Sequence, residues 1–159
     1  MRRRAFIFGA VSVFALVGCS GGSAPRSTST PGPTVLAVAR ANGFTRFVRA
    51  AEAAGFAEML ALPGPFTLFV PTDRAFGASS VSNLGPDDLR TLIAYHIVPG
   101  LITTDFTSGV EVNHTTLQGA SVTIDGTADL TVNGAVVSQA DLIASNGVIF
   151  AINRVLTPR

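Results

Sequence analysis

Several residue types on which catalytic and metal-binding sites depend are scarce in this sequence. Its 159 residues include no tryptophan or lysine, one tyrosine, one cysteine and two histidines. A structural zinc site would have to use mostly carboxylates, which zinc rarely accepts alone. Neither G-x-G-x-x-G nor the Walker pattern occurs, so no loop that binds phosphate groups is indicated. We therefore expect no metal and no cofactor.

Positive charge is also limited. Three of the eleven basic residues, all arginines, lie at positions 2–4 in a segment interpreted below as a removable leader; eight arginines then remain against ten acidic residues, a net charge of −2. Nucleic acid backbones select strongly basic surfaces, so this chain is not expected to bind nucleic acid. Hydrophobic residues make up 47% of the chain and charged residues 13%, which predicts a packed core.

The N-terminus has the layout of an export signal. Three arginines precede an apolar run over residues 5–17, followed by Gly18 and Cys19. The run would span roughly 20 Å as a helix, whereas the hydrocarbon core of a bilayer is ~30 Å thick, so a membrane-spanning helix is disfavoured. Residues 1–18 are therefore predicted to be a signal peptide. Arg3-Arg4 also fits a twin-arginine signal, and both this route and general secretion stay open.

Leu16-Val17-Gly18-Cys19 resembles the processing box of bacterial lipoproteins, in which the cysteine is lipidated and becomes the new N-terminus. The lone thiol of Cys19 could instead be a small buried hydrophobe or a nucleophile. Its position at the end of an export signal favours lipidation. The resemblance implies more than one acyl chain, which holds a protein stably on a bilayer. The residue after Cys19 is Ser20 and not an aspartate, which would suggest retention at the inner membrane. The outer membrane is therefore favoured if the cell has two membranes.

Residues 19–33 form a short tether in this interpretation. After Cys19 the segment consists almost entirely of Ser, Thr, Gly, Pro and Ala, which cannot bury enough apolar surface to offset the entropy lost on ordering. A flexible chain of this length has an average reach of about 20 Å. Residues 34–159 are predicted to form one folded domain outside the cytoplasm.

The first half of this domain is helical in pattern and the second half has the alternation of strands, which predicts an α+β architecture. The predicted elements of the first half are helices at 34–40 and 45–54, a strand at 66–70, a turn with Asp73 as N-cap, and a helix from Gly85-Pro86 that ends near His96. The predicted strands of the second half are 110–116, 121–125, 130–132, 135–140 and 147–152.

Three segments, in this order and spacing, resemble the motifs of the fasciclin domain family. They are TLFVPTDRAF at residues 67–76, YHIVPG at 95–100 and NGVIFAINRVL at 146–156. The resemblance implies a wedge-shaped β-sandwich of about seven strands, with helices packed from the N-terminal half. It also implies that Asp73, Tyr95 and His96 belong to structural motifs.

The resemblance further implies a non-enzymatic role in adhesion and extracellular interaction. In some animal members, integrin contact has been ascribed to the positions that are Asp141-Leu142 and Tyr95-His96 in this sequence. Gln139-Ala140 and Phe150 depart from the residues of those members, so an integrin partner is not carried over. Asp141 is either a partner contact or a turn aspartate. The expected partners are a protein or a glycan at the cell surface, with weak homophilic contact as a further candidate.

Two other functions are alternatives. A carrier of a small apolar ligand or lipid would have a pocket lined by residues such as Phe44, Phe47 and Phe69. A hydrolase would use His96 as general base and Asp73 to orient it. No G-x-S-x-G motif occurs, and His96 lies on the apolar stripe of a helix that ends there. We interpret His96 as a core histidine, bonded to Asp73 or to a backbone carbonyl, and expect no enzymatic activity.

Overall fold

A computed structural model describes residues 32–158 of the chain. The predicted signal peptide, Cys19 and the tether up to residue 31 lie outside the described residues. The helices are α1 Val35–Ala41, α2 Thr45–Ala53, α3 Ala57–Ala61, α4 Asp73–Ala78, α5 Pro86–Tyr95 and α6 Thr104–Thr107, with a 3₁₀ turn at Ser80–Asn83. The strands are β1 Phe66–Pro71, β2 Ile97–Pro99, β3 Glu111–Thr115, β4 Ser121–Asp125, β5 Thr131–Val132, β6 Ala135–Ala144 and β7 Gly147–Ile152.

The helix boundaries follow local sequence signals. The Thr34 side chain accepts a hydrogen bond from the Ala37 backbone N–H at 3.4 Å, so it caps α1 as predicted. Gly55 has a φ of +81°, a conformation that glycine adopts readily, and α2 ends just before it. α5 ends at Tyr95 with His96 as its C-cap, which confirms the predicted end of this helix.

The seven strands of the described residues form one mixed sheet in the order β2-β1-β7-β6-β5-β4-β3. β1 and β7 are parallel, and the other pairs are antiparallel. Phe66 and Gly147 lie opposite each other at the start of the parallel pair. A Cβ atom on Gly147 would lie 2.1 Å from the Phe66 carbonyl oxygen, so only glycine permits this approach of the two strands.

β6 bends the sheet. It has ten residues and two shifts in its pairing register with β7, and Asp141 within it has a φ of +51°. Such bulges bend and twist a strand. The two halves of the sheet consequently contribute to one buried cluster, which includes Phe69, Val148 and Phe150 from β1 and β7 and Val122, Ile124 and Val132 from β4 and β5.

The helices pack on the other side of β1 and β7. Because side chains alternate along a strand, Leu68 and Val70 contact the helical cluster, whereas Phe69 contacts the cluster within the bent sheet. The helical cluster includes Phe47 of α2, Leu60 of α3 and Ile93 of α5. The predicted α+β architecture, with seven strands and helices from the N-terminal half, is thereby confirmed.

Four short elements and the end of one strand differ from the predictions. α3 has five residues and its N-cap, Phe56, makes no side-chain cap, so no local signal marks it. β2 was not predicted, because it has three residues, follows α5 directly and contains Pro99. Its pairing with β1 stabilises it. The 3₁₀ turn and the four-residue α6 were not predicted either. β6 extends to Ala144 rather than residue 140, because its pairing with β7 resumes after the register shifts.

Candidate interaction surface

His96 lies entirely within the core. Its ring is 0% exposed, with Nδ1 2.7 Å from the Leu92 carbonyl oxygen and Nε2 3.0 Å from the Leu156 backbone nitrogen. A backbone N–H can only donate, so Nε2 accepts from Leu156 and Nδ1 carries the proton that it donates to Leu92. The Phe47 ring packs against the imidazole at 5.7 Å between centroids. His96 therefore joins the end of α5 to the C-terminal segment.

Burial also sets the charge of this ring. Loss of solvation lowers the pKa of His96 to about 4, although its hydrogen bond with the Leu92 carbonyl opposes that shift. The imidazole is consequently neutral at physiological pH. Since both nitrogens bond to backbone groups and no part of the ring contacts solvent, His96 cannot take a proton from a substrate. This arrangement is that of a core histidine and leaves the hydrolase alternative without its base.

Asp73 has neither of the two roles predicted for it, which were the N-cap of its own helix and a hydrogen-bond partner of His96. Thr72, not Asp73, caps α4, because the Thr72 hydroxyl accepts from the Ala75 N–H at 3.3 Å. The Asp73 carboxylate instead accepts from Thr45 Oγ1 at 2.8 Å and from the Arg46 N–H at 2.9 Å, and it does not bond to His96. α2 has Phe44 as its N-cap, with no side-chain acceptor of its own. Asp73 supplies that acceptor from another helix.

Tyr95 connects the end of α5 to the sheet. Its ring is 2% exposed, and its hydroxyl donates to the Ser121 carbonyl oxygen at 3.1 Å and accepts from Asn133 Nδ2 at 2.8 Å. Asn133 and Gly134 have φ values of +48° and +76°, which form the tight turn between β5 and β6. The Tyr95 hydroxyl thus fixes the position of this turn.

A polar groove lies over the Tyr95 hydroxyl. It has a volume of about 590 Å³. Its lining combines hydroxyl, amide and carboxylate groups from three strands and a turn, and includes Glu111, Ser121, Thr123, Asp125, Thr131 and Asn133. Glu111 and Asp125 lie opposite each other on β3 and β4, so two carboxylates lie at the same edge of the groove. Hydrogen bonds from Thr127 lower the pKa of Asp125 and favour its charged form. The groove is therefore acidic and rich in hydrogen-bonding groups.

Asp141 and Leu142 are both engaged within the domain. The half-buried Asp141 carboxylate accepts from the Thr104 backbone N–H at 3.2 Å and also from the Thr104 hydroxyl, so it caps α6. Leu142 is partly buried against the helical cluster. The next residue, Ile143, is 80% exposed. Ile143 lies beyond the strand predicted at residues 135–140, so no alternating pattern indicated that its side chain is exposed.

The phenylalanines expected to line a ligand pocket belong to the core. Phe47 and Phe69 are fully buried and Phe44 is nearly so. An apolar cleft of about 390 Å³ lies elsewhere, between α4, the 3₁₀ turn, α5 and the C-terminal segment. Val81, Leu84, Leu92 and Val155 contribute to its lining, with Arg154 among the lining residues.

Residues 32–158 contain neither a cluster of metal ligands nor a membrane-spanning helix. No group of three or more His, Cys, Asp and Glu side chains in this range could hold a metal ion. None of its helices has the length and apolar character needed to cross a membrane. Cys19, the predicted lipidation site, lies outside the described range.

Comparison with known sequences decides the family. The sequence signature of the Fasciclin domain matches residues 42–158 of the chain. The chain belongs to the fasciclin domain family. Its three motif segments correspond to β1 with α4, to the end of α5 with β2, and to β7 with the C-terminal segment.

Relatives of this fasciclin chain occur in bacteria. It is 40% identical over 136 residues to protein sll1483 of Synechocystis, an alignment that covers 79% of this chain and 73% of that protein. It is 33% identical over 101 residues to the cell surface glycolipoprotein MPB83 of Mycobacterium bovis, covering 60% of this chain and 44% of that protein.

A solved structure shows the same fold. The FAS1 domain pair from the insect cell adhesion molecule fasciclin I superimposes with a TM-score of 0.56 at 21% identity. The superposition covers 73% of this chain and 46% of the insect chain. This chain therefore spans less than half of the insect chain.

Proposed function

We propose that this chain is an exported, lipid-anchored adhesion or interaction module that catalyses no reaction. The observation that supports the proposal is that the residues of the family motifs make hydrogen bonds within the fold. Asp73, Tyr95 and His96 all hydrogen-bond to other elements of the fold, which supports a structural role for each of them. Function then depends on the outer surface of the domain.

The polar groove is the surface that we assign to partner contact. Its hydroxyl and amide groups suit a glycan, and its Glu111 and Asp125 carboxylates suit a basic segment of a protein. Asp141 and Leu142 are weaker candidates, because Thr104 and the helical cluster already engage their side chains. The insect neighbour is named as a cell adhesion molecule, which supports this class of function. Many copies on one surface would strengthen a modest affinity.

Adhesion is tested with beads that carry many copies of the chain from Cys19 onward. We expect such beads to bind cells or immobilised glycans, and Glu111→Arg to abolish binding because it reverses a charge at the groove. Thr115→Arg is the matched control, since Thr115 is also exposed on β3 but does not line the groove. Equal binding by both variants would contradict the assignment of the groove. Aggregation of the beads with one another would instead indicate homophilic contact.

The anchor is proposed from the sequence around Cys19. Residues 1–18 would be removed, residues 19–33 would form the lipidated tether, and residues 34–159 would be held outside the cytoplasm, at the outer membrane if the cell has two. MPB83, a relative named as a cell surface glycolipoprotein, supports this localisation. We expect the wild-type protein to fractionate with membranes and Cys19→Ala to be soluble. Equal partitioning of the two would contradict lipidation.

The apolar cleft favours a second candidate function, the transport of a small apolar ligand. Its volume of about 390 Å³ is within the range of ligand sites. A fluorescent fatty acid is a direct probe. If the cleft is a carrier site, Ala78→Phe, which fills it, abolishes probe binding. Ala37→Phe, a change at an exposed position of α1, leaves probe binding intact.

A further inference from the structure

The N-terminal tether enters the domain at a fixed point. The Pro33 carbonyl oxygen accepts from the Ser145 backbone nitrogen at 2.9 Å and from the Ser145 hydroxyl at 3.1 Å. Two residues later, the Val35 N–H donates to Asn146 Oδ1 at 2.9 Å. The turn between β6 and β7 therefore holds the place where the chain from Cys19 reaches the folded domain.

Exposed apolar side chains surround this entry point. Ile143 is 80% exposed, Leu62 57% and Leu101 54%. Asn146 Nδ2 donates to the Leu62 carbonyl oxygen at 2.9 Å, and a shallow cleft of about 250 Å³ beside Asn146 includes Pro65, Leu101 and Ile143 in its lining. We call Leu62, Pro65, Leu101 and Ile143 the tether pole. No ionisable side chain lines this cleft.

We propose that the tether pole docks on the surface of the lipid bilayer to which Cys19 is attached. The proposal rests on the lipid anchor proposed above. Residues 20–33 have an average reach of about 20 Å, so the domain stays close to the headgroups and the tether reaches it at this pole. Confinement of this kind gives the pole a high effective concentration of lipid, and a contact too weak to hold a free domain becomes populated.

The chemistry of the pole suits the interface between headgroups and acyl chains. Isoleucine and leucine side chains gain free energy when they leave water, and interfacial segments bury their apolar side chains ~5–10 Å into that boundary. No charge in the shallow cleft would have to lose its hydration on docking. Docking would fix the orientation of the domain, with the apolar cleft beside Leu84 at the opposite end of β7 from the membrane.

A tryptophan scan on vesicles tests this proposal. The chain has one cysteine, so the chain from Cys19 onward can be coupled to a maleimide phospholipid through that thiol, and it has no tryptophan to obscure an introduced one. Ile143→Trp places the probe at the tether pole. Val136→Trp is the matched control, exposed near the other end of β6 and roughly 20 Å from Ile143 along the same strand.

We expect the emission of Ile143→Trp to shift to the blue and to be quenched by brominated phospholipids, with that of Val136→Trp unchanged. Adding Leu101→Asp to Ile143→Trp should reduce the ratio of docked to undocked protein roughly tenfold. Absence of quenching at Ile143→Trp, or equal quenching at both positions, would overturn the proposal. A blue shift that depends on the density of protein on the vesicle, without quenching by brominated lipid, would also overturn the proposal. It would indicate contact with a second copy of the chain.

This experiment separates docking from the anchor. The chemical coupling supplies the lipid whether or not the cell modifies Cys19, whose natural state is read by mass spectrometry of the mature protein. Unmodified Cys19 would refute the anchor while the vesicle result still reported on the pole. Lipidated Cys19 with an unquenched Ile143→Trp would refute docking alone.

Discussion

At the scale of single residues, His96 shows how a residue type associated with catalysis can serve the fold. Its two ring nitrogens bond to the Leu92 carbonyl and to the Leu156 N–H, which is 60 positions further along the chain. Without the ring, two buried backbone groups would lose their partners. The buried and neutral imidazole is therefore a stabilising cross-link between α5 and the C-terminal segment.

We expect His96→Ala to lower the free energy of unfolding by about 1–3 kcal/mol, through the two unpaired backbone groups and the lost packing against Phe47. Urea denaturation measures this change. His114→Ala is the control, because His114 is only half-buried on β3, and its effect should stay within about 0.5 kcal/mol. Equal stability of His96→Ala and wild type would contradict a structural role.

The same residue predicts a dependence of stability on pH. The pKa of His96 is about 4 in the folded protein against an ordinary value of 6.5, so between these values the unfolded chain binds the proton more readily. This contribution to stability is complete above about pH 6.5 and is lost as the pH falls towards about 4, to a total of about 3 kcal/mol. Urea denaturation across this window should show a steeper loss for wild type than for His96→Ala. Parallel curves would contradict the prediction.

At the scale of elements, caps supplied from a distance organise the domain. Asp73 in α4 supplies the acceptors for the start of α2, and Asp141 in β6 does so for α6. We expect Asp73→Ala to cost about 0.5–2 kcal/mol, because the Arg46 N–H loses its partner. Asp73→Asn keeps an acceptor oxygen and should cost less. Thermal melts of the two variants measure the difference, and an equal loss in both would indicate that charge, not capping, dominates.

Local signals predicted the elements whose causes lie within a few residues. The Thr34 cap, the positive φ of Gly55 and the proline start of α5 were read from the sequence because each acts on its own turn. The partner of Asp141 lies 37 positions away, so neither its role nor the bulge it occupies could be predicted. The tether pole was missed for the same reason, since Leu101 and Ile143 meet only in the folded domain.

At the scale of the whole molecule, Asn146 joins the beginning of the domain to its end. Its side chain accepts from the Val35 N–H, 111 positions away, and donates to the Leu60 and Leu62 carbonyl oxygens. One amide therefore holds α1, the end of α3 and the turn before β7 together. Any force on an anchored tether would reach the domain at this point.

We expect Asn146→Ala to lower the free energy of unfolding by about 2–3 kcal/mol, since three buried or half-buried backbone groups lose their partner. Hydrogen exchange should accelerate most in α1, because the Val35 N–H no longer has an acceptor. Ser145→Ala is the matched control: it removes a hydroxyl but keeps the backbone bond to Pro33, so α1 should exchange as in wild type. If Asn146→Ala left the exchange of α1 unchanged, contacts other than this amide would hold the beginning of the domain, and the role assigned to Asn146 would be wrong.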